Sequence, residues 1–178
     1  EFRRVLFRSG VTAEEGPQWV GKDGYFDMIF EFDHIHIWQQ EKEGQLDVLK
    51  LKHALSAWQT SLDGIGWNAL YMENHDVPRA VSVFGDTRPE FWAMSAKAIA
   101  MMYFFLQGTP FIYQGQEIGM TNMPFESIDQ VDAVDSKRLY KRLLAEGKTR
   151  EEALDIIRET TRDNSRTDGT KRMSKDRK

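Results

Sequence analysis

The chain contains no cysteine, which excludes a disulfide framework, a thiolate nucleophile and any cysteine-ligated metal centre. It also lacks an apolar run of the roughly 18 residues that a membrane-spanning helix requires; the closest, Ala98–Leu106, is about half that length. Positive charge is not in excess. With 24 Lys and Arg against 28 Asp and Glu the net charge is −4, which argues against nucleic acid or an anionic membrane surface as the main partner. No secretory signal is visible, and the absence of thiols fits a reducing cytoplasm, the expected location.

What is present suits a single domain with a substantial core: 178 residues, 40% hydrophobic and 12% aromatic. Both ends depart from that pattern. Residues 1–9 carry three arginines among apolar residues without turn chemistry, and read as adapter-derived or foreign sequence outside the fold. Residues 168–178 are mostly charged and aperiodic, as expected of a disordered or frame-shifted tail.

Between them, strand-like and helix-like segments alternate. Tyr25–Phe32 is a short aromatic-rich run that predicts a buried strand. Over Asp47–Leu62, helical spacing puts Val48, Leu51, Leu55, Trp58 and Leu62 on one face, and Gly64 and Gly66 end the helix. Trp67–Met72 predicts the next strand. A long helix follows from a Thr87–Glu90 capping box, with Phe91, Met94, Ala98, Met102 and Phe105 expected inward and Gly108-Thr109-Pro110 as its stop. Phe111–Tyr113 predicts a third strand. Two shorter helices come next, about Ser136–Glu146 and, opened by a Thr149–Glu152 capping box, on to about Thr160. Such alternation indicates α/β architecture with a parallel sheet. Polar residues follow each strand, as Asp33-His34, His75-Asp76 and Gln116-Glu117, where parallel barrels and open α/β sheets place their active sites.

The sharpest local feature is Glu73-Asn74-His75-Asp76-Val77-Pro78-Arg79. An imidazole beside a carboxylate offers both a donor and an acceptor to sugar hydroxyls, and such a carboxylate favours the distorted geometry of glycoside hydrolysis. An Asx-type turn with Asp76 paired to Arg79 explains the same residues equally well.

ENHDVPR, followed some thirty residues later by GTPFIYQGQEIGMTN, resembles the seventh and eighth barrel strands of glycoside hydrolase family 13, the α-amylase superfamily. The likeness is to its oligo-1,6-glucosidase, α-glucosidase (dextran glucosidase included) and trehalose-6-phosphate hydrolase branch, and sucrose isomerases look similar here. It extends through Tyr25–His34, Met123–Asp129 and Arg162–Thr167, and covers residues 10–167. The resemblance implies the C-terminal half of a (β/α)8 TIM barrel, incomplete, at about strands six to eight. Asp76 matches the carboxylate that stabilises the transition state, His75 a donor to the sugar, and Arg162 the arginine that holds its non-reducing end. Arg79 and Glu117 lie in the same motifs as substrate-binding candidates, the alternatives being a tie between strand ends and a turn cap.

In the family, the nucleophilic aspartate and the acid/base glutamate follow strands four and five, which the resemblance places before Gly10. Glu14 and Glu15 are then a solvated helix start. The implied parent is a retaining α-glucosidase acting on α-linked oligosaccharides, and the fragment alone is expected to be inactive. No cofactor is expected in this segment; the calcium loop of those members that have one also lies upstream. After RDNSRT the family's Pro-Met-Gln-Trp is replaced by Asp168-Gly169-Thr170 and the residue that follows.

Two rival readings remain. Asp33-His34-Ile35-His36 has the alternation that puts two imidazoles on one strand face, which with His75-Asp76 suits a metal-dependent barrel hydrolase. Some relatives of the resembled family have also lost their catalytic groups and act as partners of membrane transporters. Among the tryptophans, Trp19 and Trp38 are candidate sugar platforms, whereas Trp58, Trp67 and Trp92 are assigned to packing.

Overall fold

In the computed structural model, which describes residues 4–6, 10–40 (backbone only for 38–40) and 46–166, four short strands pair in parallel. They are β1 (Val5–Leu6), β2 (Met28–Phe30), β3 (Asn68–Leu70) and β4 (Thr109–Pro110), hydrogen-bonded in chain order. The register sets Ile29 opposite Asn68 and Leu70 opposite Pro110. Parallel neighbours need crossovers, and helices supply them. Helix α1 (Gly16–Val20) joins β1 to β2, while α2 (Asp33–Gln40) and α3 (Val48–Leu62) join β2 to β3. Helices α4 (Ala80–Phe84) and α5 (Pro89–Phe104) lead to β4, and α6 (Val134–Ala145) and α7 (Arg150–Thr160) follow. Two compact units result, Glu1–Met72 with Ala100–Ile112, and Glu73–Ile99 with Tyr113–Lys178.

The first unit holds the sheet. Its core gathers Leu6, Val11, Val20, Ile29, Trp58 and Leu62. Helix α3 starts where expected because the Asp47 side chain accepts the Lys50 N–H at 3.0 Å, satisfying a donor with no intrahelical partner. Trp58 Nε1 donates to Asp33 Oδ2 at 2.6 Å, which pins α3 to the first turn of α2. Thr12 and Glu15 bond each other's backbone N–H at the entrance to α1, so Glu14 and Glu15 do mark a helix start.

Val5–Leu6, within the 1–9 segment read as adapter-derived or foreign, pairs with Met28–Ile29, and Leu6 is buried. Three expectations need correction. The strand expected over Tyr25–Phe32 shortens to Met28–Phe30, and Asp33-His34-Ile35-His36 opens a helix. At about 100° per residue, His34 and His36 then diverge instead of sharing a strand face. The last strand is Thr109–Pro110 rather than Phe111–Tyr113, although Phe111 still donates its N–H to Leu70 at 2.7 Å. Finally, α5 buries Ile99 and Tyr103, while Met94 and Phe105 of the expected inward set are 71% and 81% exposed. A helix apolar on every side gives its periodicity no face to choose.

The second unit centres on Phe125, Val131, Ala133 and Ile157. Thr149 and Glu152 form the expected capping box, each side chain taking the other's backbone N–H. Gly147 ends the preceding segment at φ +92, a conformation that favours glycine. Positions 167–178, including the expected tail at 168–178, lie outside the described residues.

Candidate active site

The loop that follows β3 keeps its two acidic residues apart. Glu73 turns inward and Asp76 outward. Asn74 Oδ1 accepts the Asp76 N–H at 2.8 Å, forming the Asx turn expected of this sequence. The partner expected for Asp76 in that reading was Arg79, and this is a correction: Arg79 pairs with Glu73 instead. Its guanidinium is fully buried, with Nη1 2.9 Å from Glu73 Oε1 and 2.7 Å from the Gln114 carbonyl, and Nε 3.2 Å from the Asn164 carbonyl. Glu73 also accepts the Ala80 N–H at 2.5 Å. Burial pushes the Glu73 carboxyl up, against the downward pull of the Ala80 N–H and of Arg79. Arg79 therefore has no surface with which to meet a substrate; it ties chain segments together.

Asp76 has other neighbours. Arg166 Nη2 lies 2.7 Å from its Oδ1, and Arg162 Nη1 lies 3.7 Å from the same oxygen. His75 Nε2 stands 3.1 Å from Oδ2. Asp76 is 48% exposed and His75 54%, so both present polar atoms to solvent. Arg162 also reaches Asp135 at 3.7 Å, and its Nε is buried without a partner. Thus Asp76, His75 and Arg162 come together. Glu117 does not join them: it is exposed, and its Oε2 accepts the Gly115 N–H at 2.7 Å, capping a turn in which Gly115 has φ +88.

Sequence reasoning missed Arg166 and Asp135. Arg166 stands four residues after Arg162 in RDNSRT, and spacing alone does not say which arginine reaches the loop. The segment before it is held by buried polar groups. Ser165 Oγ donates to the Val77 carbonyl at 2.5 Å, Tyr113 Oη donates to the Ser165 carbonyl at 3.0 Å, and the Asn164 side chain bonds Met123 N and the Arg158 carbonyl.

The polar cluster after β2 turns inward. His34 is fully buried, with Nδ1 hydrogen-bonded to Glu31, whose second oxygen accepts the Asp33 N–H at 2.8 Å. Burial alone would raise the Glu31 carboxyl, but the His34 charge and these hydrogen bonds outweigh it and hold the carboxyl below its ordinary range. The Tyr71 ring meets His34 edge-on at 4.8 Å, and its phenol is pushed up by burial and by the Glu31 and Asp33 carboxylates. Among the described residues, no group of three or more His, Asp or Glu converges as metal ligands. Trp19 packs half-buried beside Phe26, and the Trp38 side chain lies outside the described residues.

The profile of the family described as "Alpha amylase, catalytic domain" matches residues 11–172. The chain is 51% identical over 160 residues to probable oligo-1,6-glucosidase 3 of Bacillus subtilis (strain 168), covering 89% of the chain and 29% of that protein. It is 45% identical over 169 residues to glucan 1,6-alpha-glucosidase of Streptococcus pneumoniae, covering 89% and 31%. Among solved structures, trehalose-6-phosphate hydrolase of Bacillus licheniformis superposes with a TM-score of 0.84 at 40% identity, covering 92% of this chain and 30% of that one. The chain thus spans under a third of the length of the curated relatives it matches.

Proposed function

Since the chain belongs to the α-amylase catalytic-domain family, we propose that it supplies the transition-state-supporting side of a retaining α-glucosidase site for short oligosaccharides. The supporting observation is the half-exposed Asp76 carboxylate, flanked by His75 at 3.1 Å and by two guanidiniums. Asp76 grips sugar hydroxyls and favours the oxocarbenium-like geometry of the reaction, His75 donates to a neighbouring hydroxyl, and Arg162 holds the non-reducing end. Strands β2 to β4 stand for strands six to eight of an eight-stranded barrel.

Retaining hydrolysis needs a nucleophile and an acid/base about 5–5.5 Å apart. In this reading neither comes from residues 10–166, and the 178-residue chain alone turns nothing over. The substrate is an α-1,6-linked glucoside, a choice supported by the names of the relatives at 51% and 45% identity. The setting is cytoplasmic, in keeping with the absence of cysteine. Among the described residues, no helix is long and apolar enough to cross a membrane.

The test is isomaltose binding to the chain followed by NMR, alongside a nitrophenyl α-glucoside assay. We expect binding that is lost in Asp76→Ala and in His75→Ala, with no turnover. Absence of binding would remove the sugar site; clear turnover that disappears in Asp76→Ala would overturn the assignment of the nucleophile and acid to other segments.

A further inference from the structure

One guanidinium spans two consecutive residues of the loop. Arg166 Nε donates to the His75 carbonyl at 2.9 Å while Nη2 donates to Asp76 Oδ1 at 2.7 Å. From this clamp we infer that Arg166 is a positioning residue: it fixes the Asp76 carboxylate and the His75 backbone together, so that Oδ2 and the His75 imidazole face the sugar as a matched acceptor and donor. The inference rests on the reading of Asp76 as the sugar-gripping carboxylate.

Three features separate this from an ordinary surface ion pair. First, such pairs hold one point of contact on long mobile side chains and contribute little. Here the planar fork engages a main-chain carbonyl and a carboxylate oxygen at once, which sets direction as well as distance. Second, the backbone carrying Arg166 is anchored on its N-terminal side. Asn164 and Ser165 are fully buried and bonded to Met123, Arg158 and Val77. Third, Arg162 approaches the same Oδ1 only to 3.7 Å and shares itself with Asp135, so it adds charge without setting the angle. Lysine at 166 has a single ammonium centre and could meet one of the two acceptors with good geometry, not both.

The experiment uses the 178-residue chain with two independent readouts. Side-chain couplings of Asp76 report whether its carboxylate holds one rotamer, and isomaltose titration reports the site. In the wild type we expect a single Asp76 rotamer. In Arg166→Ala and in Arg166→Lys the couplings should average over several rotamers, with the amide spectrum beyond residues 74–78 unchanged. Isomaltose affinity should fall about tenfold, the scale of one charge-assisted hydrogen bond. Arg162→Ala should leave the rotamer fixed. Adding Arg166→Ala to Asp76→Asn should cost no further affinity, since the arginine acts through that carboxylate.

An unchanged Asp76 rotamer in both Arg166 variants would overturn the inference. Were affinity to fall with the rotamer still fixed, Arg166 would be a direct sugar contact instead, and the positioning role would be wrong. Failure of the wild type to bind isomaltose, with the rotamer nonetheless released in Arg166→Ala, would uphold the clamp and remove the sugar reading.

Discussion

Arg79 and Glu73 meet at 2.9 Å with side chains 0% and 1% exposed, and Arg79 adds bonds to the Gln114 and Asn164 carbonyls. A buried ion pair of this kind is costly to break, because the surviving partner keeps its charge without compensation. Arg79→Met alone should therefore destabilise the second unit by about 3–5 kcal/mol, as should Glu73→Leu. The double variant should lose clearly less than the sum of the two. Urea denaturation followed by far-UV circular dichroism measures all three; strict additivity would show that the residues do not act as a pair.

Acid should weaken the first unit through Glu31. Its folded carboxyl is held below its ordinary range by His34 and by two backbone N–H groups, burial opposing them, so the unfolded chain binds that proton more tightly. The stability it contributes is then present above the ordinary carboxylate range and is lost as pH falls through the lower folded value. Glu31→Gln should flatten this acid limb in a denaturation series from pH 7 to pH 3, chosen to bracket that range (about 4). A limb of unchanged steepness would assign the acid sensitivity to other carboxylates.

The capping box at α7 gives a local prediction. Thr149 Oγ1 accepts the Glu152 N–H at 3.2 Å and Glu152 Oε2 accepts the Thr149 N–H at 2.7 Å. Thr149→Ala should cost about 1 kcal/mol and Thr149→Ser almost nothing, by the same denaturation assay. Equal losses in the two variants would mean that the hydroxyl is not the capping group.

The isolated chain should also self-associate. Met94, Met101, Phe105 and Ile112 are each more than half exposed, and large apolar side chains left open to water favour association. Sedimentation velocity at micromolar concentration should show species above 20.7 kDa. Replacing Met94, Met101 and Phe105 by glutamate should return the monomer. A wild type that sediments as a monomer would contradict this.

Much of the fold was legible in local chemistry. Helix α3 with its Asp47 cap, the Thr149–Glu152 box and the Asx turn at Asn74 are contacts within four residues, so the sequence contains both partners. The parallel order of β2, β3 and β4 follows from strands alternating with helices. Asp76, His75 and Arg162 were named from motifs, and they do come together. Other features were read differently from what the structure shows. The face of α5 is undecidable because the helix is apolar nearly all round, and Asp33–His36, offered as a strand with two imidazoles on one face, opens a helix whose first turn bonds Glu31 and Trp58.

By itself the sequence determined the α/β alternation and the capping box that opens α7, and it singled out Asp76, His75 and Arg162, because periodicity, capping and motif are properties of neighbouring positions. Only the tertiary structure decided which guanidinium serves which carboxylate. Arg79 lies three residues from Asp76, yet it turns inward to Glu73, while Arg166 comes from ninety residues away to meet Asp76. A buried charge needs its partner at hydrogen-bond distance, and the folded path of the chain, not separation in sequence, sets that distance.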